Sequence, residues 1–245
     1  MSASAWTVAP LQGDPSASHN SSPHDGHSRP HVQRPLSSSE LKRLDVYMFG
    51  SPKEARVVAV HGPLQLAVRL QLEFDPQIVA VVERPRRLEV GLRSQELHFW
   101  WRHKNGREHY ALVFSDEDTI PGTDGRRRPR EVDRLRQASQ TAGMQLHLLT
   151  KDEILRPAMR TELCFHLLGF TQSLGSLDSA VGICHSVAQV MQSGTKLAVR
   201  ELNAELSHIP VSQLRIVVAH LLHIGYLQTD ALHRMNDRSI IWRTR

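Results

Sequence analysis

A two-residue turn restricts this chain more than any other feature. Asn105-Gly106 separates residues 96–103, which carry Phe99, Trp100 and Trp101, from residues 109–114 (HYALVF). Asn-Gly is the pair a tight β-hairpin asks for, because both turn residues must take a positive φ. The middle of the chain is therefore an antiparallel sheet. The flanking segments add to it. Residues 78–83 (IVAVVE) are short and β-branched, a buried strand, and 87–92 form another. Residues 64–74 (LQLAVRLQLEF) fit helix or strand by apolar pattern, but their length and their Leu, Ala, Arg and Gln content favour a helix. Asp75-Pro76 ends it, because the residue before proline avoids helical angles. After the hairpin comes a polar loop, 115–130, with Pro121, Gly122, Asp124-Gly125 and the run Arg126, Arg127, Arg128. A helix over 131–142 closes on Gly143, a strand follows at 145–149, and Thr150 with Glu153 makes a capping box for the next helix. This order predicts a layered α/β domain over residues 40–157.

Pro157 marks a change of character. Residues 158–170 and 179–192 read as amphipathic helices. A helix at 197–206, the break Ser207-His208-Ile209-Pro210 and a helix at 211–224 follow, with Gly225 as the stop. Segments 226–230 and 239–243 pair as two short strands. Two helices across a tight turn and then a β ribbon predict a winged helix-turn-helix domain over 158–245. Its second helix would offer Ser212, Gln213 and Arg215 to DNA and bury a stripe of Leu214, Val217, Val218, Leu221 and Leu222. Arg238 and Arg243 on the ribbon would meet the phosphate backbone. Residues 1–39, rich in Ser, Pro, His and Gly, cannot bury enough surface to offset their ordering entropy and read as a disordered tail. Its His19, His24, His27 and His31 have no Cys or carboxylate partners to fix a metal geometry.

The charge balance points the same way. Formal net charge is +5 over 245 residues, and of thirty basic residues only five are lysine and twenty-five arginine. Arginine suits phosphate, because its planar guanidinium donates in pairs to an oxyanion; a GC-rich genome would enrich arginine equally. A sequence pI near 9.6 is the usual electrostatic footprint of nucleic-acid contact. No run reaches the length of a membrane span, no signal pattern opens the chain, and Cys164 and Cys184 alone neither staple a domain nor build a zinc site. A reduced, cytoplasmic setting is expected. The P-loop, G-x-S-x-G, H-E-x-x-H and GxGxxG patterns are absent. His98, His103 and His109 flank the hairpin, but strand alternation opposes their meeting on one ion. Asp116-Glu117-Asp118 reads as a solvated turn.

In order and spacing, several segments resemble the TnsA family, the endonuclease subunits of heteromeric transposases. These are Asp75-Pro76, the strand at 78–83, Arg84-Pro85, the hairpin end His109-Tyr110, and residues 143–154 (GMQLHLLTKDEI), followed by the winged helix. The resemblance covers about 40–245. It implies a restriction-endonuclease-like α/β core with a C-terminal helical winged helix-turn-helix domain. It also implies DNA at transposon ends, a DDE transposase subunit and possibly an ATPase regulator as partners, and a bacterial, nucleoid-associated location. The departures concern chemistry. The family's catalytic glutamate falls on Gln65 and its aspartate on Leu112. The strand with its lysine is missing between Phe114 and Glu131, and Arg130-Glu131-Val132-Asp133 lacks a lysine. Magnesium-dependent cleavage needs carboxylates to neutralise the ion, so the expectation is a pseudo-nuclease with no cofactor. DNA would be held by Arg126, Arg127, Arg128, Ser212, Gln213, Arg215 and Arg238. Two other readings remain: an active Mg-dependent endonuclease using displaced acids such as Glu54, Glu73 or Asp116, and a winged-helix regulator.

Overall fold

The computed structural model describes residues 31–43, 45–122, 125–156, 158–192 and 194–244, and His31 onward forms one compact unit. His19, His24 and His27 lie outside the described residues. Order begins earlier than composition predicts. The His31 Nε2 meets the Tyr110 hydroxyl at 2.9 Å, and its ring stands edge-on to Trp100 and Tyr110. Arg34 donates to both Glu96 and Glu40. A polar segment can thus be ordered by docking on another element's surface, a source of burial that its own composition does not show. Helix α1 (Ser38–Arg43) follows.

An antiparallel hairpin, β1 (Val46–Ser51) and β2 (Arg56–His61), leads into helix α2 (Gly62–Glu73). Pro63 near the start of α2 suits the first helical turn, where no amide donor is needed. At its far end Lys53 Nζ donates to the carbonyls of Leu72 and Asp75 at 2.8 and 2.7 Å. That satisfies carbonyls the helix cannot. The ambiguous apolar pattern of this segment now has a cause: α2 is buried on two sides. Ala67, Val68 and Leu72 pack with the sheet residues Val81, Phe99, Ala111 and Val113. Leu70 and Phe74 pack with the C-terminal helices.

The main sheet has four strands in the order β10-β7-β6-β3. β3 (Ile78–Glu83) pairs antiparallel with β6 (Phe99–His103), setting Val82 against Trp100. Between them lies an unanticipated hairpin, β4 (Arg87–Val90) and β5 (Arg93–Glu96), turning at Gly91 with φ +63°. The expected strand 87–92 therefore ends early, and the expected strand 96–103 divides. A hairpin at Asn105-Gly106 joins β6 to β7 (Glu108–Phe114) as predicted, but the connection spans residues 104–107 and only Gly106, at φ +81°, takes the positive angle that a two-residue turn would ask of both. The polar loop holds a small hairpin of its own, β8 (Thr119–Pro121) and β9 (Arg127–Pro129). It pairs with itself and adds no strand to the main sheet. Helix α3 (Val132–Thr141) covers the second face of the sheet through Leu135, against Val82, Trp100, Tyr110 and Leu112. The crossover through α3 lets β10 (Leu146–Thr150) lie parallel to β7. The capping box of Thr150 and Glu153 then opens α4 (Lys151–Leu155).

Helix α5 (Ala158–Gln172) and a short 3-10 turn, Leu174–Ser176, lead to α6 (Ala180–Val190). Then come β11 (Lys196–Ala198), α7 (Val199–Glu205), α8 (Val211–His223), β12 (Leu227–Thr229) and β13 (Ile240–Arg243). The three strands form a sheet ordered β11-β13-β12. The expected helix over 197–206 thus gives its first residues to β11. The C-terminal array is thus a helix, a strand, two helices and two further strands. It shares a core with α2 through Leu70, Phe74, Leu167, Val218 and Leu221.

Candidate functional site

The two positions that the TnsA resemblance assigns to carboxylates do not meet. Gln65 lies in the first turn of α2, half-buried, with its Oε1 accepting from the His61 amide at 3.5 Å. Leu112 is fully buried in the cluster under α3, on the opposite face of the sheet. A period-two strand turns alternate residues to opposite faces, so the β7 positions facing α2 are Ala111 and Val113. Both are apolar. Neither pairing gives a carboxylate that could hold a metal ion beside Gln65.

The acids named as displaced catalysts have other partners. Glu73 Oε2 accepts from Arg69 at 2.7 Å and from the Ser51 hydroxyl at 2.6 Å. Its Oε1 accepts from the Lys53 amide at 2.9 Å and lies 3.0 Å from His223 Nε2. Burial alone would raise the Glu73 carboxyl, but the His223 contact, the Arg69 charge and the Ser51 and Lys53 donors outweigh it and hold it well below the usual range. Arg69 also donates to Glu83 at 2.7 Å, and Glu83 takes a second guanidinium from Arg56 at 2.8 Å. Glu54 accepts from the Val81 amide at 3.1 Å and stands 3.7 Å from Arg56. Arg69, Glu73 and Glu83 are essentially inaccessible to solvent. A guanidinium already neutralises the charge that a metal ion would need, so this network is built for structure. Burial brings the Lys53 ammonium down to about 8. Asp116 is exposed and paired with Lys151, and Arg127 lies 3.7 Å away.

The histidines near the hairpin also sort differently from the expected trio. His103 and His109 touch, but the third ring is His147, whose Nε2 lies 3.0 Å from His109 Nδ1. His98 stands apart and accepts the Val113 amide at 2.8 Å. Among the described residues, no group of three His, Cys, Asp or Glu is arranged to hold a metal ion.

The arginine loop is held by its own hairpin. Arg127 donates to the Thr119 hydroxyl at 2.7 Å and to the carbonyls of Asp116 and Thr119. Arg126 and Arg128 are exposed and line a cleft of about 520 Å³ with Arg156, Asp152 and Glu153. Two carboxylates thus share the cleft with the arginines. In the C-terminal part, α8 is buried along most of its length, from Leu214 to His223, by α5 and α6. Its first turns stay open: Ser212 and Arg215 are exposed, while Gln213 is half-buried and accepts from the Ser179 hydroxyl at 3.2 Å. Arg215 reaches Asp237 at 3.4 Å. Arg238 is exposed in the loop before β13, and Arg243 stacks over Tyr226 at 5.0 Å. The residues expected to contact DNA therefore fall in two separate places, the β8–β9 hairpin and the C-terminal array.

A scan against protein-family models finds no match, and a search of curated proteins finds none either.

The buried network could have been suspected from the sequence. Arg69 and Glu73 stand four apart within an apolar helical run, and a charged pair at that spacing shares one helix face. Nothing local signals its partners Glu83, Arg56 and His223, which come from three other elements.

Proposed function

We propose that this chain is a DNA-binding protein of transposition, built on a TnsA-like, restriction-endonuclease-like scaffold that has lost cleavage. It would work at transposon ends beside a partner DDE transposase. One observation carries the reading: a mixed sheet between α2 and α3 is followed in the same chain by helices and a three-stranded sheet in the order a winged helix-turn-helix module would have. The helix, three antiparallel strands, helix and parallel strand support the nuclease-like core. The order β11, α7, α8, β12, β13 supports a DNA-facing module whose open first turns carry Ser212 and Arg215. Loss of cleavage follows from Ala111 and Val113 opposite α2 and from the guanidinium-bound state of Glu54, Glu73 and Glu83. The test is a transposon-end duplex incubated with Mg²⁺ or Mn²⁺, read for both binding and nicking. The expected result is a salt-sensitive complex without nicks, since each neutralised phosphate releases a counterion. Robust nicking would overturn the pseudo-nuclease half, and failure to bind any duplex would overturn the whole.

A further inference from the structure

A further groove is lined by none of the residues of the two predicted DNA contacts. It is about 890 Å³ in volume and runs between the β4–β5 hairpin and helix α3. Arg86, Arg87 and Arg93 enter it from the hairpin side and Arg134 from the helix, all four exposed. The three on the hairpin side differ from the arginines that are tied into ion pairs. Arg69, Arg56, Arg34, Arg127 and Arg215 each face a carboxylate within 4.0 Å. Among the described residues, Arg86, Arg87 and Arg93 make no ion pair.

Arg86 and Arg87 are nevertheless held in place. Arg86 lies over the Tyr110 ring at 5.6 Å with a nitrogen 2.9 Å from the Met144 sulfur. Arg87 donates to the Ser94 hydroxyl at 2.9 Å and to the Ser94 carbonyl at 3.1 Å. These contacts restrict the guanidinium without neutralising it, which reduces the entropy lost when an anion arrives. The groove also contains two acids. Glu131 lies 3.4 Å from Arg134, and Glu89 accepts from the Ser94 hydroxyl at 2.8 Å. The balance of side chains remains positive.

We infer that this groove is a second DNA-binding face, taking the sugar-phosphate backbone of a duplex between the hairpin and α3. The inference rests on the DNA-binding reading above and adds a surface to it. Arginines stand on both walls, so a backbone lying along the groove meets guanidinium from either side, and a guanidinium fork pairs with two phosphate oxygens at once. No aromatic side chain lines the groove, so unstacked bases of a single strand have no platform there. A bound peptide would need an apolar anchoring pocket. The groove's fully exposed apolar side chain is Leu92, which projects from the hairpin tip. Contacts of this kind fix register on the duplex and carry no sequence code.

The test uses the full chain, a labelled mixed-sequence duplex, the matching single strand and a polyglutamate peptide. Between about 50 and 200 mM salt the parent protein should bind the duplex with a steep salt dependence. The triple variant Arg87→Gln, Arg93→Gln, Arg134→Gln should bind about tenfold or more weakly, with a slope flatter by about two to three charges. Its melting temperature checks folding, and the single variant Arg93→Glu at the hairpin's exposed edge repeats the test with one change. Should both variants bind duplex as the parent does, the groove assignment falls while the DNA-binding reading stands. If the parent binds no duplex, the DNA-binding reading fails and takes the groove with it. Arginine-dependent binding of polyglutamate or single strand in preference to duplex would also overturn the assignment.

Discussion

The two faces of the four-stranded sheet treat charge in opposite ways. On the α2 face, Arg69 and Glu73 are sealed with Glu83 among apolar side chains, and Arg69 and Arg56 each have a carboxylate. On the α3 face, the core beneath Leu135 is apolar, and Arg86, Arg87 and Arg93 stand outside it without an ion pair among the described residues, Arg134 alone facing a carboxylate, Glu131. The same residue type thus ties elements together on one side and stands largely outside ion pairs on the other. Composition cannot distinguish these uses, because a net charge of +5 counts a buried Arg69 and an exposed Arg93 alike.

The sharpest way to break this contrast is to remove the hub of the buried network. Arg69→Met leaves Glu73 and Glu83 without the guanidinium they share. Losing one partner of a buried ion pair costs about 3–5 kcal/mol, visible as a lower urea midpoint. Arg87→Gln on the other face should move that midpoint by less than about 0.5 kcal/mol. Equal losses would show that the two faces do not differ in kind.

A second test concerns the seam between α2 and α8, where the buried network reaches α8 through His223. Gly225 follows α8 with φ +77°, and a Cβ there would lie 2.4 Å from the Pro76 Cβ. Gly225→Ala meets two obstacles at once, a backbone angle that disfavours side chains and a proline ring that cannot swing away. Strain and overpacking together should cost about 2–4 kcal/mol. A melting temperature unchanged from the parent would mean that Pro76 and Gly225 do not meet in solution.

Acid provides a test confined to the sheet and its edge. His98 accepts the Val113 amide, and burial pushes its pKa down to about 4 from the ordinary 6.5. His109 and His147 are lowered as well, first by burial and then by neighbouring imidazoles. A lowered folded-state pKa means that the unfolded chain binds more protons, so stability rises with pH. The contribution is complete above about pH 6.5 and fades toward pH 4, by up to about 3 kcal/mol for His98 alone. Urea titrations at pH 7.5 and 5 should show the loss, and His98→Gln should flatten it. A pH-independent midpoint over that range would contradict the packing of His98.

Much of this architecture was legible in the sequence, and the gaps have physical causes. Asn105-Gly106, the Asp75-Pro76 stop, Gly143 and the Thr150–Glu153 box each act through local backbone chemistry, and each stands where it was expected. The β1–β2 hairpin left no such sign, because its turn places Ala55 at φ +51° where a glycine would have advertised it. The β4–β5 turn has only Gly91 in an otherwise strand-like run. The site was harder to read than the fold. A strand's sequence gives the alternation of its faces, but not which face meets which helix. Leu112 was accordingly set beside Gln65, although the sheet lies between them. The groove arginines were passed over because nothing in the sequence distinguishes a paired guanidinium from an unpaired one.

The smallest expected effect is also the most direct question about lost chemistry. Gln65→Glu restores the acid that the resemblance would place at the start of α2. The position is half-buried and its side chain accepts one long hydrogen bond, from the His61 amide, so stability should change by less than about 0.5 kcal/mol. One carboxylate is not a metal site. The facing positions on β7 are Ala111 and Val113, and Mg²⁺ needs several oxygen ligands, with a carboxylate or two among them. Gln65→Glu should therefore leave a transposon-end duplex uncut in Mg²⁺ or Mn²⁺, while binding it as the parent does. Nicking by this single variant would mean that the remaining ligands are present after all. The α2 face would then have kept its chemistry beside a charge network that exists to hold it.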